Sequence, residues 1–290
     1  MTTVAILGAQ GFLGRPIANT LKANDFEVVT FSRSGLNALS PHNFEVDLFD
    51  IESLKRSLIK SRPDVVISTA WDTEHGKFWT SALNSKYKDA TLRFAEICFE
   101  LGVESFLGLG TMSEYGNNPG MCNANSTPLI SVDLYSEAKI ETGNELKSIG
   151  KANNRKTNWL RIFQAFGPNE KPERFIPGLI STLRSGNPFS IRTPNFEMDW
   201  IHTSDIASAV LFSLKNELDH FVDVGTGIGT TVRNLSELVC DELDLDARLL
   251  DYSGQIPGHE KKATVDPGAQ LFSLGWTPAE SLESRVRSLR

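Results

Sequence analysis

Val4-Ala-Ile-Leu-Gly8-Ala-Gln-Gly11-Phe-Leu-Gly14 opens the chain: an apolar run of strand length that breaks into three glycines, each separated from the next by two residues. Arg15 to Ala23 then carries apolar side chains at helical spacing, and Phe26 to Phe31 reads as a second strand. Strand, glycine turn, helix and strand make a βαβ unit. Glycines let the backbone turn sharply and approach a ligand closely, while the free amides and positive end of the next helix favour an anion. Gly8, Gly11, Phe12, Leu13 and Gly14 are therefore read as a cradle for the pyrophosphate of a dinucleotide, with a purely structural turn as the alternative.

The alternation continues. Helices are expected at Ile51 to Lys60 and Tyr87 to Leu101, and strands at Asp64 to Thr69, Ser105 to Leu109 and Asn158 to Phe163. Such an order closes most simply as an α/β fold with a doubly wound parallel sheet, a Rossmann domain over residues 1–165. After Phe163 the texture changes, as Gly167-Pro168, Pro172, Pro177, Gly186, Pro188 and Pro194 cut the chain into short pieces. A smaller C-terminal α/β substrate-binding region is expected over 166–195 and 225–290. Residues 196–224 are expected to return to the large domain, with a helix at Asp205 to Lys215 and a strand at Phe221 to Val224.

Composition narrows the function classes. A chain of 290 residues with 40% apolar and 22% charged residues has the make-up of a globular protein, not of a disordered or fibrous one. The net charge of −7 and the lack of a basic run argue against nucleic acid as partner, which leaves a small molecule. No apolar run approaches the roughly 18 residues of a membrane span. Arg15 is the first basic residue, so no basic stretch precedes the first apolar run, and three cysteines (Cys98, Cys122, Cys240) without a CxxC suit a reducing compartment. A cytoplasmic protein without disulfides is expected. The five histidines show neither HExxH nor a pair at helical spacing, so no metal site is expected.

Two further patterns carry chemistry. The second strand ends Thr30-Phe31-Ser32-Arg33, where NAD-preferring sites usually place an acid for the ribose 2′-hydroxyl. A hydroxyl and a guanidinium instead suit a 2′-phosphate, which makes NADP(H) the preferred cofactor with NAD(H) possible; the alternative for Arg33 is a solvated loop charge. Tyr135-Ser-Glu-Ala-Lys139 places a phenol and an ammonium four residues apart, on one face of a helix. A phenol of ordinary pKa near 10 is a poor acid or base at neutral pH, and a neighbouring cation favours its phenolate.

The GxxGxxG spacing, the YxxxK pair and the segment Gly108-Leu-Gly110-Thr111-Met-Ser113-Glu-Tyr115-Gly116 together resemble the extended branch of the short-chain dehydrogenase/reductase superfamily, the NAD-dependent epimerases and dehydratases of sugar nucleotides. Arg161 to Pro168, Asp199-Trp-Ile-His202-Thr-Ser-Asp205 and Leu274-Gly275-Trp276-Thr-Pro278 resemble later landmarks of that family, so the likeness covers nearly the whole chain. It implies a catalytic Thr111, Tyr135 and Lys139. Tyr135 would exchange a proton with the substrate's carbonyl or hydroxyl oxygen, Thr111 would orient that oxygen, and Lys139 would also hold the nicotinamide ribose. It implies adenine contacts at Asp47 and Leu48, against a plain turn aspartate, and a close cofactor passage at Ala70, where the fourth strand ends. Trp71 is expected to face the substrate, with a core position as the alternative, and Met112, Gln164 and Arg174 are the other expected substrate contacts. His202 is expected to be structural. A homodimer through the helices near Tyr87 to Leu101 and Tyr135 to Leu146 is also implied.

Departures from the family pattern select among reactions. Dehydratases of the family carry Asp-Glu directly after the threonine, where this chain has Met112 and Ser113. Its C3/C5 epimerases carry a cysteine where Ser113 stands, and a serine of ordinary pKa is a weak carbon-acid base. Simple redox at a carbonyl remains, and the expected activity is NADP(H)-dependent reduction of the keto group of a nucleotide-activated 4-keto-6-deoxy sugar. An NAD-dependent nucleotide-sugar 4-epimerase is the alternative. A nonnucleotide carbonyl substrate is a second one, because Met198 precedes Asp199 where the family often has a phosphate-binding arginine and Gln164 replaces its usual asparagine; Arg174, Arg192, Lys261 and Lys262 are candidate replacement cations. A noncatalytic NADP-binding sensor is disfavoured by the intact triad.

Overall fold

Val4 and Ile6 face one hydrophobic core and Ala5 and Leu7 the other, all of them buried. This is the period-two pattern of a strand covered on both faces, which parallel sheets require because their crossover helices lie on both sides. The computed structural model describes residues 1–34, 40, 42–216, 218, 221–257 and 261–290. The first half runs β1 (Thr3–Leu7), α1 (Gly14–Lys22), β2 (Glu27–Ser32), β3 (Asn43–Glu45), α2 (Ile51–Ser61), β4 (Val65–Ser68), α3 (Leu83–Glu100), β5 (Ser105–Thr111), β6 (Gly120–Cys122) and α4 (Leu134–Asn153). It continues with β7 (Lys156–Ile162), β8 (Gln164–Phe166), α5 (Phe175–Arg184), β9 (Phe189–Ser190), β10 (Glu197–His202), α6 (Thr203–Asn216) and β11 (Phe221–Val224). The C-terminal part holds β12 (Gly229–Thr231), α7 (Val232–Leu243), β13 (Leu250–Asp251), β14 (Lys262–Val265), α8 (Gln270–Ser273) and α9 (Leu282–Arg287).

Seven strands form a parallel sheet in the order β11-β7-β5-β4-β1-β2-β3. The winding reverses between β1 and β4, and at such a switch point the diverging crossovers leave a crevice outside the carboxyl ends of the strands. Gly8 and Thr69, just past β1 and β4, meet there: a Cβ on Gly8 would lie 2.6 Å from Thr69 Oγ1, and its φ of +83° is one that glycine alone adopts readily.

A second sheet runs β12-β10-β14-β6, with β8 pairing the far half of β10. The segment 196–224, expected to return to the large domain, meets the large sheet only in part. β11 joins that sheet and α6 packs on α1, but β10 lies in the smaller sheet. The reason is visible at Asp199, a fully buried carboxylate in β10 that accepts the amides of Thr226 (2.7 Å), Gly227 (2.9 Å) and Val265 (3.1 Å). These bonds tie β10 to the loop after β11 and to β14. β6, from within 1–165, also belongs to the smaller sheet.

The C-terminal segment is fastened to α6: Arg285 donates to Asp205 at 2.9 and 2.7 Å, Ala279 donates its amide to the same carboxylate, and Trp276 Nε1 donates to Ser208. Among the described residues no helix is long and apolar enough to cross a membrane, no group of His, Cys, Asp and Glu is arranged to hold a metal, and the three cysteines are free and buried.

Candidate active site

The glycine turn folds as a cradle. Gly11 donates its amide to Gly8 O at 2.8 Å, and a Cβ on Gly14 would collide with Gly8 O, so α1 seats against the turn only because Gly14 lacks one. Around it lies a cavity of about 650 Å³ whose walls include Gly8, Gly11, Ser32, Arg33, Asp47, Leu48 and Ala70. Seven residues expected at the cofactor thus share one surface. Ser32 spends its hydroxyl on the loop, donating to Ser34 O (2.8 Å) and accepting from Gln10 Nε2 (3.1 Å). Asp47 accepts the amide of Phe49 at 2.9 Å, the bond of a turn aspartate, and still lines the cavity. Gly14 lies behind the wall as a packing residue. The cradle, its size and the small residues at the strand ends fit the phosphates of a dinucleotide.

A second cavity of about 740 Å³ continues from the first, sharing Gly11, Arg33, Thr69, Trp71 and Tyr87 with it. Phe12 and Leu13 face this half. Thr111, Tyr135 and Lys139 converge here, as do Trp71, Met112, Gln164 and Arg174. Thr111 ends β5 and caps the short turn that follows, accepting the amide of Ser113 at 3.3 Å. Tyr135 sits in the first turn of α4, where Asp133 and Ser136 cap each other's amides at 2.7 and 3.2 Å and so fix the direction in which the helix enters.

Tyr135 is buried against Phe78 (ring centroids 4.8 Å, 86°) and Trp79 (5.5 Å, 89°). Burial pushes its pKa up, and hydrogen bonding to the Thr111 hydroxyl followed by the Arg174 charge pull it back. The lysine is turned elsewhere: Lys139 Nζ donates to Leu109 O at 2.8 Å and rests 3.7 Å over the Trp71 ring, 5.8 Å from the centre of the Tyr135 ring. Burial lowers its pKa to about 7, against an opposing pull from Glu114. The protein alone therefore keeps the phenol protonated and the lysine only partly charged.

Beneath this surface lies a buried network that sequence reasoning did not identify. Glu114, fully buried, accepts from Arg161 Nε at 2.6 Å, Trp159 Nε1 at 3.0 Å and Thr111 N at 2.9 Å. Tyr115 donates to Asp223 at 2.7 Å and accepts from Arg161 at 3.2 Å, and burial raises the Asp223 carboxyl to about 6. The network locks the end of β5 and leaves Glu114 no freedom to act on a substrate. Phe78, Trp79, Glu170 and Lys171 also line the cleft without having been singled out; the first two lie in a single 3-10 turn, Phe78–Thr80, and the others in a loop, both too short for side-chain periodicity to give a direction. His202 lies on a different cavity, of about 620 Å³. Its Nδ1 pairs with Ser204 at 2.7 Å, and burial lowers its pKa to about 4, which keeps the ring neutral.

The family model for the NAD dependent epimerase/dehydratase family matches residues 4–225. The chain belongs to this family. Like the other extended short-chain enzymes, it is an NAD(P)-dependent oxidoreductase with a Rossmann-type sheet. Among relatives of this epimerase/dehydratase family member, the dTDP-6-deoxy-L-talose 4-dehydrogenase (NAD(P)(+)) of Kitasatospora kifunensis is 26% identical, over 99% of this chain and 94% of that protein. A trifunctional UDP-glucose 4,6-dehydratase/UDP-4-keto-6-deoxy-D-glucose 3,5-epimerase/UDP-4-keto-L-rhamnose-reductase of Arabidopsis thaliana is 24% identical over 98% of this chain, which spans 46% of its length. In fold, the UDP-glucose 4-epimerase of Thermotoga maritima, solved with UDP-glucose, superposes with a TM-score of 0.86 at 21% identity, over 99% of this chain and 96% of the other.

Proposed function

We propose that the protein is an NADP(H)-dependent reductase of the keto group of a nucleotide-activated 4-keto-6-deoxy sugar. The observation that carries this reading is the make-up of the cleft beside Thr111. Met112 and Ser113 face it where the family's dehydratases place acids, and the next carboxylate, Glu114, is consumed by Arg161, Trp159 and the Thr111 amide. Elimination of water needs an acid and a base at that place; redox at a carbonyl needs a proton carrier, Tyr135, and an oxygen-orienting hydroxyl, Thr111. Two relatives point the same way, one a 4-dehydrogenase of dTDP-6-deoxy-L-talose and one that includes a UDP-4-keto-L-rhamnose reductase. The hydride is chemistry that a nicotinamide supplies when bound. This chain's residues would hold the cofactor's pyrophosphate in the glycine cradle, exclude water with Phe78 and Trp79, and deliver the phenolic proton to the substrate oxygen that the hydride reduction leaves negative. Lys139, released from Trp71, would hold the ribose hydroxyls and bring its charge to the phenol. Arg33, at the adenosine end, supports the 2′-phosphate, while the Ser32 hydroxyl stays on the loop.

The test is NADPH oxidation with dTDP- and UDP-linked 4-keto-6-deoxyhexoses. Tyr135→Phe is expected to lower turnover about 10²–10⁴-fold while NADPH affinity stays nearly unchanged, since only the phenolic proton is lost. Full turnover in that variant would remove Tyr135 from the chemistry. The shared fold with a UDP-glucose 4-epimerase favours a second reading, 4-epimerisation through the same carbonyl.

A further inference from the structure

Glu170 is a buried acid in the wall of the catalytic cleft that the chemistry above does not use. It follows the Gly167-Pro168 turn, its side chain is 6% exposed, and it separates the cleft from a further cavity of about 550 Å³. Oε1 lies 3.5 Å from Nε of Arg174, and Oε2 is buried without a partner. Arg174 is 30% exposed and lines the cleft close enough to Tyr135 for its charge to act on the phenol.

We propose that Glu170 is a positioning residue that holds Arg174 in the empty cleft, and that its protonation sets how strongly Arg174 takes the anionic diphosphate of a nucleotide sugar. The proposal rests on the nucleotide-sugar reading above. An ionised Glu170 cancels the guanidinium charge, whereas a protonated Glu170 leaves it to the substrate. A contact of 3.5 Å is too long for a strong charge-assisted bond, and an unpaired buried oxygen penalises the charged form. Burial accordingly raises the carboxyl to about 7, with Arg174 opposing, so both forms are present near neutral pH. Lys171 stands beside Glu170 in the chain, Lys261, Tyr135 and Lys139 line the same cleft, and Arg184 lines the cavity behind it. The His202 ring packs against Gly167 from β10 and remains neutral. Lys139 also titrates near neutral pH and attracts anions in the same direction. The test must therefore compare variants at fixed pH.

The experiment is calorimetric titration with UDP-glucose and dTDP-glucose, whose diphosphate diesters carry no proton that titrates between about pH 6.5 and 8.5. Glu170→Gln should bind about fivefold more tightly than wild type at pH 8.5, the size of a partly exposed ion pair, and nearly equally at pH 6.5. Binding at pH 8.5 that is equal to or weaker than wild type overturns the proposal. Arg174→Gln gives an independent arm: it should bind more weakly at pH 6.5, and in its background Glu170→Gln should change nothing. A full effect of Glu170→Gln without Arg174 also overturns the proposal. Failure of wild type to bind either nucleotide sugar at either pH would instead overturn the nucleotide-sugar reading, and this proposal with it.

Discussion

Arg33 is the residue on which the cofactor assignment turns. It stands at the end of β2, on the wall common to both halves of the cleft, where an acid would have selected NAD. Arg33→Ala is expected to weaken NADPH about tenfold or more and NADH by less than about twofold, because a charge-assisted bond to the 2′-phosphate contributes roughly 1.5–3 kcal/mol. Equal losses in fluorescence titrations would reduce Arg33 to a loop charge. At this scale the site was legible where chemistry imposes a fixed spacing. The spacing of Tyr135 and Lys139, one helical turn apart, is visible in the sequence, whereas Thr111 followed only from the family resemblance; the structure brings the three to one cavity. The aromatic cover of Phe78 and Trp79 was not legible, since those side chains leave a single 3-10 turn whose course is set by tertiary packing. The resting direction of Lys139 was not legible either: it depends on Trp71, thirteen residues before Asn84, whose amide oxygen accepts the Trp71 indole N–H at 2.9 Å.

Among the elements, β5 and the turn after it carry the most strongly determined geometry. Glu114 binds back to the Thr111 amide and across to Arg161 of β7, so the strand end that carries Thr111 is stiffened by a buried ion pair with side chains 0% and 2% exposed. Glu114→Ala is expected to destabilise the protein by about 3–5 kcal/mol in chemical denaturation, because it strands the Arg161 guanidinium in the core. A loss below about 1 kcal/mol would show that water reaches Arg161 and that the network is not what fixes Thr111. Of the seven strands of the large sheet, β3, Asn43–Glu45, is too short and too polar to stand out, whereas the other six were legible because their apolar runs are uninterrupted, as in Val4 to Leu7. β10 was not, because its sequence looks like that of a buried strand in either sheet. Its membership is decided by the backbone amides of Thr226, Gly227 and Val265 converging on Asp199, a contact between distant segments.

Over the whole molecule, one cleft runs from the glycine cradle at the β1/β4 switch point to the triad and on to Arg174 and Lys261, with the large sheet supplying the cofactor half and the later segments closing the other. This arrangement serves both a reductase, which exchanges its cofactor every turnover, and a 4-epimerase, which regenerates a retained one. The purified protein should therefore be denatured and assayed for released nicotinamide cofactor, and the native protein titrated with NADPH and NADH. The reductase account predicts little retained cofactor, exchangeable NADPH binding and markedly weaker NADH. Stoichiometric, tightly retained NAD would contradict it and assign the cleft to 4-epimerisation.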